Sequence, residues 1–215
     1  MSNKNGVPAQ LAICQDRTML GVGIYFEGRI SEYDMGGELI KIIGKIPIVL
    51  KNNEELSAQH SHGFIGNFAY KEAQKEVYLA TRHGTIIEKY GLGGALISTL
   101  HGPETYFPEY DIVPAGQYIT MTYNKKTRFG YIDICYNKFK DKLFVLYSGR
   151  YQFGKNDRGP SYMGNIIYVL DNKDRIIEQI ELDRDIFQMT ISDDGSKIYG
   201  LSDKEILKYD YIEKS

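Results

Sequence analysis

Tryptophan is missing altogether from this chain of 215 residues, and cysteine and histidine are scarce, with 2 and 4 copies. The absence of Trp removes the repeating Trp-Asp dipeptide that marks the commonest propeller class. Cys14 and Cys135 stand alone, without Cys-x-x-Cys spacing or a neighbouring His, so neither thiol metal binding nor nucleophilic chemistry is indicated. Both read as separate buried thiols, the usual place for a free Cys. No stretch approaches the ~18 consecutive apolar residues of a membrane-spanning helix. Met1 to Gln10 is polar and lacks the roughly 7–15-residue apolar region of a signal peptide. A net charge of -2 and a pI near 6.1 give no electrostatic reason to expect nucleic acid or an anionic membrane as partner. Gly-x-Ser-x-Gly, Gly-x-x-x-x-Gly-Lys and His-Glu-x-x-His are all lacking. Helix signals are few as well: only Asn52 to Gln59, with Glu54 and Glu55 early, predicts a short helical turn.

What is present is β-forming. Aromatic residues make up 13% of the chain, including 18 Tyr, which suits strands rather than disorder. An internal repeat follows. Tyr33-Asp-Met-Gly36-Gly37-Glu-Leu39-Ile40 is echoed 57 residues on, without a gap, by Tyr90-Gly-Leu-Gly93-Gly94-Ala-Leu96-Ile97. Gly-Gly between apolar runs predicts a hairpin, because Gly takes positive φ without steric cost. A looser third copy starts at Tyr168, with a turn longer by two residues around Asp171 to Asp174, and a fourth is centred on Tyr209. A second hairpin lies upstream of each reference Tyr. Short strands joined by polar turns, about four per ~40–60 residues, describe four-stranded meanders, and meanders in series make propeller blades.

The expected fold class is therefore all-β: a β-propeller of four-stranded antiparallel blades at about 11–44, 64–101, 130–182 and 186–212. Residues 1–10 are expected to be a disordered N-terminus. The last unit shows three strands, and no spare strand upstream is available to complete it. The ring is expected to be incomplete.

The C-terminal half resembles the bacterial TolB-like six-bladed propeller proteins. The likeness runs through Leu146-Tyr-Ser-Gly149-Arg150, Ile167-Tyr-Val-Leu-Asp171 and Ile180-Glu-Leu-Asp-Arg-Asp185. It continues through Ser192-Asp-Asp-Gly-Ser-Lys-Ile-Tyr199 and Ile206-Leu-Lys-Tyr-Asp210. The resemblance implies six blades, of which about four are present, and so an N-terminally truncated member lacking on the order of 100 residues. It also implies an exported, periplasmic or cell-surface location.

In a propeller, one face carries the loops between second and third strands and those between blades. This loop face surrounds one mouth of the central channel. On it fall Arg29, Arg82, His83, Arg150, Lys155, Asp157, Arg158, the His60-Ser-His62 pair and His101, so that all four histidines share a face. The candidate ligand-binding set is His60, His62, Arg82, His83, Arg150 and Arg158, since guanidinium offers forked donors to carboxylate or phosphate. No metal site and no cofactor is expected, because His60-x-His62 supplies only two ligands and nothing is clearly placed to complete them. The function expected is a non-enzymatic binding or interaction module that presents one face to a small molecule, a glycan or a protein. The insertions Pro103 to Phe129 and Ser148 to Gly164 are its recognition loops. The alternatives are a channel-metal lactonase, hydrolase or lyase using His60, His62 and His83, or a mainly structural role in an assembly.

Overall fold

The computed structural model describes residues 6–14, 16–48, 57–154 and 159–213. Seventeen strands are present among them. The first sheet is β1 (Gly6–Ile13), β2 (Thr18–Tyr25), β3 (Ile30–Asp34) and β4 (Leu39–Ile43), hydrogen-bonded in chain order. After helix α1 (Ala58–Gly63), the second sheet follows as β5 (Gly66–Lys71), β6 (Glu76–Thr81), β7 (Ile86–Gly91) and β8 (Leu96–His101). A separate hairpin, β9 (Asp111–Ala115) and β10 (Tyr118–Thr122), precedes the third sheet. That sheet comprises β11 (Tyr131–Asn137), β12 (Lys142–Tyr147), β13 (Gly164–Leu170) and β14 (Ile176–Ile186). The fourth has three strands among the described residues: β15 (Gln188–Ile191), β16 (Lys197–Leu201) and β17 (Ile206–Asp210). All pairings are antiparallel between chain neighbours, the meander of a propeller blade.

The repeat explains the register. Tyr33, Tyr90, Tyr168 and Tyr209 occupy the third strand of each blade, opposite Met19, Val77, Val145 and Ile198. The two Gly-Gly turns are equivalent. Gly37 (φ 85°) donates its N–H to the Asp34 carbonyl, and Gly94 (φ 100°) donates to the Gly91 carbonyl. In the third blade the longer turn closes the same way, with Asp174 (φ 63°) donating to Asp171.

Three apolar cores lie between successive blades. Leu20, Val22 and Ile30 pack against Phe68, Leu79 and Tyr90; Tyr78 and Ile87 pack against Tyr131 and Val145; Phe144 and Ile167 pack against Met189 and Ile198. Blades two and three, packed on both sides, thus bury both faces of their middle strands, which is why β6 and β12 are apolar almost throughout. A side chain so enclosed contributes about 1.5–3 kcal/mol.

Several boundaries differ from the sequence expectations. Residues 6–10 are not a disordered tail: they open β1, pairing Gly6 with Tyr25 and Val7 with Ile24. Pro8 is tolerated because β1 is the edge strand and carries a bulge between Pro8 and Gln10. Residues 1–5 lie outside the described residues. The outer strand β14 runs past 182 to Ile186, since Gly164 still finds a partner there beyond a bulge. The described helix, Ala58–Gly63, overlaps the end of the helical turn expected at Asn52 to Gln59. Ser57 caps it, its N–H donating to Nδ1 of His60 (3.2 Å), while residues 52–56 lie outside the described residues. The cysteines are separate free thiols, Cys14 just after β1 and Cys135 within β11.

Candidate functional site

The innermost strands β1, β5, β11 and β15 stand side by side, and polar side chains on them stitch one blade to the next. Gln10 accepts the Phe68 N–H through Oε1 (3.1 Å), and Asn67 donates to the Ile132 carbonyl. Asp133 accepts the Met189 N–H through Oδ2 (2.8 Å) and the Ile134 N–H through Oδ1 (2.9 Å). The Ile134 bond is local to β11; each of the others joins a side chain of one inner strand to the backbone beside the corresponding residue of a neighbouring one. Gln188 is the next residue in this series, and it is exposed.

These residues wall a single cleft of about 380 Å³, lined by Gln10, Asn67, Arg82, Asp133, Tyr162 and Gln188 with Phe129, Ile132 and Phe187. All four blades contribute. The strand starts, the β6–β7 loop and the loop before β13 place this mouth on the face expected to carry ligand.

The β6–β7 loop holds its backbone tightly. Arg82 donates its N–H to the Ile65 carbonyl (2.9 Å), and its carbonyl accepts from Gly130 (2.7 Å). The Arg82 side chain is half-buried and directed at the cleft. Among the described residues its guanidinium makes no hydrogen bond or ion pair, and desolvation lowers its pKa, opposed by Tyr123 and Asp133. The guanidinium stays charged nevertheless. Asp133 is pushed up to about 6 by burial, against the pull of its two N–H donors and of Arg82. His62 is half-buried, its pKa lowered by desolvation and by Arg82.

The remaining candidates are placed differently. His83 is buried beneath the cleft between Tyr123 and Phe129, at ring distances of 5.1 and 4.8 Å, with Nδ1 facing the Gly63 carbonyl. Burial, then Arg82, pushes it down to about 4, so it is neutral near pH 7. His60 is buried in the helix cap with Ser57 and lies edge-on to Tyr110. Arg150 is spent on a forked ion pair with Asp185 (2.9 and 2.6 Å), tying the 148–164 insertion to β14. Arg158 lies outside the described residues, with Lys155 and Asp157. Of the six candidates, His62, Arg82 and His83 come together; His60 and Arg150 serve the scaffold. His101, at the end of β8, is exposed near Phe107 rather than in the cleft. No group of three or more His, Cys, Asp or Glu able to hold a metal ion exists among the described residues.

Sequence reasoning passed over Gln10, Asn67, Asp133 and Gln188. A signal was available: Gln10 and Asn67 are 57 residues apart, the same offset as the Gly-Gly echo. Arg29, on the β2–β3 loop, is also a scaffold residue. It binds Glu88 through Nε and Nη2 (2.8 and 2.7 Å), the Phe64 carbonyl (2.5 Å) and Thr81 (3.1 Å).

The other end of the inner strands opens between Tyr70, Tyr136 and Ile191, with Glu72, Asn137, Lys138, Asp141 and Asp193 around it. Its polar groups are largely engaged in turns: Asn137 donates to Ser192, and Asp141 holds Lys71 (2.6 Å) and Tyr136 (2.9 Å).

A family model described as TolB-like 6-blade propeller-like matches residues 2–194. No curated protein matches the chain. Among solved structures, hydrazine synthase of Kuenenia stuttgartiensis superposes with a TM-score of 0.59 at 10% sequence identity, over 98% of this chain and 47% of that one. At that identity the likeness shows fold alone, and this chain spans less than half the length of its neighbour.

Proposed function

The chain belongs to the TolB-like 6-blade propeller-like family, and from that premise we propose that it is a binding module taking a small ligand at the loop-face mouth of its central cleft. One observation carries this reading. Four inner strands, each supplying a polar residue at the same level, converge on one cleft of about 380 Å³ whose walls are pinned by inter-blade hydrogen bonds. Such a site is largely formed before binding, so little ordering entropy is lost when a ligand enters. Its volume suits a small organic molecule. Recognition rather than turnover is supported by the state of the titratable groups. Both oxygens of Asp133 already accept backbone N–H groups, and His83 is buried and neutral. A general acid or base must instead reach the proton it moves.

The test is a metabolite-library screen by ligand-observed NMR on the full chain, followed by backbone amide mapping of each hit. The reading expects shifts at Gln10, Asn67, Arg82, Asp133 and Gln188. Hits that move Tyr70, Tyr136 and Ile191 at the opposite mouth instead would sink it.

A further inference from the structure

We propose that Arg82 is an oxyanion anchor: the ligand of the cleft carries a carboxylate or phosphate group that receives the forked N–H donors of its guanidinium. This rests on the cleft being the binding site and adds the chemical class of what enters it.

Most other arginines among the described residues are spent on carboxylates. Arg29 is paired with Glu88, Arg128 with Glu104, Arg150 with Asp185, Arg175 with Asp171, and Arg184 with Glu205. Arg17 has no such partner among the described residues, but it sits exposed on a turn where water serves. Arg82 is the exception of consequence. It is half-buried, based on a backbone fixed at both its N–H and its carbonyl, and aimed into a cavity. Removing a cation from water without a counter-charge is costly, so a partly buried guanidinium with no hydrogen-bonding or ion-pair partner among the described residues is most simply completed by a ligand. Planar forked donors match carboxylate and phosphate oxygens two at a time.

The surroundings fit one anionic group. Facing Arg82 are Tyr123 from beyond β10, Asp133 on β11, His62 on α1 and the adjacent His83. Asp133 is the one carboxylate among them. Its oxygens are already turned onto the Met189 and Ile134 N–H groups, leaving the fork of Arg82 open. Gln10, Asn67, Gln188 and Tyr162 supply neutral hydrogen-bonding groups around the rest of the cavity. Because Asp133 repels an incoming anion while ionised, oxyanion affinity rises as the pH falls through about 6, where that carboxyl takes up a proton. Protonation of His62, whose pKa burial and Arg82 hold below the ordinary imidazole value, acts in the same direction.

The experiment follows the Arg82 Nε–H signal of the ¹⁵N-labelled full chain during titration with sodium acetate and, separately, sodium phosphate. Sodium chloride at matched ionic strength is the control. The proposal expects a saturable shift at Arg82 with one or both anions, and the stronger of the two tells carboxylate from phosphate. Arg82→Gln should weaken that binding about tenfold or more, the worth of a charge-assisted hydrogen bond. Arg82→Lys, which keeps charge and fold but loses the fork, should fall between. Asp133→Asn should strengthen binding at neutral pH and flatten its pH dependence. Shifts no larger than chloride gives, or equal affinity in Arg82→Gln and the parent, overturn the anchor. Library ligands that are neutral or cationic, occupy the cleft and bind Arg82→Gln unchanged also overturn it while leaving the cleft reading intact. Saturation at Arg82 when no library compound enters the cleft leaves an oxyanion site there but overturns its role as the anchor of a cleft ligand.

Discussion

Consider what happens when Glu88 is replaced by Gln. In the native protein its carboxylate is 2% exposed, receives Nε and Nη2 of Arg29 on one oxygen, and receives the Tyr90 hydroxyl (2.5 Å) on the other. Arg29, 4% exposed, spans from the β2–β3 loop of blade one to β7 of blade two and also holds the Phe64 carbonyl and Thr81. Glu88→Gln therefore leaves a buried guanidinium without its counter-charge at the junction of two blades. Breaking a buried pair in this one-sided way costs about 3–5 kcal/mol. Each kcal/mol lowers Tm by about 2–4 °C in a chain of this size, so a drop of roughly 6–20 °C is expected. Arg29→Met should do comparable damage from the other side. The double variant Arg29→Met, Glu88→Gln removes both charges, so neither is left buried without its partner. It should lose about 2–4 kcal/mol less than the two single losses added together. Urea denaturation followed by circular dichroism gives all four free energies of the cycle. Single losses under about 1 kcal/mol, or strict additivity, would refute the view that this pair clamps blade one to blade two.

Other outcomes follow from the same geometry. His83, 2% exposed and held neutral to about pH 4, and Asp133, raised to about 6, oppose each other on acidification. Unfolded His83 takes a proton near pH 6.5 before the folded form does, so its contribution, about 3 kcal/mol, is present above that pH and lost toward 4. Asp133 binds its proton more readily when folded, so about as much stability is gained over nearly the same window. His83→Leu should therefore make the protein gain stability between pH 6.5 and 4, and Asp133→Asn should make it lose stability there; urea midpoints against pH read both. Gly130→Ala should destabilise by more than ~2 kcal/mol in thermal melts, because its Cβ would lie 1.8 Å from the Gly84 carbonyl oxygen, a backbone atom with little freedom to move. Gly37→Ala and Gly94→Ala should each cost about 1–2 kcal/mol, and by similar amounts, since each places a side chain at positive φ in an equivalent turn; a large disparity would undo the repeat alignment.

The blades were legible because hairpin chemistry is local. Gly-Gly at Gly36-Gly37 and Gly93-Gly94 marks a turn whatever the chain does elsewhere, and the tyrosines before them fall on third strands in every blade. The β9–β10 hairpin escaped notice, since Pro114 interrupts an already short run. The gathering of His62, Arg82 and His83 on one face also followed from strand counting. Which of the candidates are free did not. Arg150 finds Asp185 at a separation of 35 residues, and Arg29 finds Glu88 at 59, pairings set by tertiary packing alone. Asp133 was overlooked for a different reason. In Ile132-Asp-Ile134 it looks like the solvent-facing member of an alternating strand, whereas on an innermost strand the outward side is the cleft itself.

The absence of Trp makes one measurement unusually clear. Tyr162→Trp puts a lone indole at the rim of the cleft, and Phe139→Trp puts one on the β11–β12 turn at the other end of the inner strands. A ligand taken from the screen, added to each protein in turn, should change the emission of Trp at 162 saturably and leave Trp at 139 silent. A response at 139 with none at 162 would contradict the claim that four blades converge on a single binding mouth at the loop face.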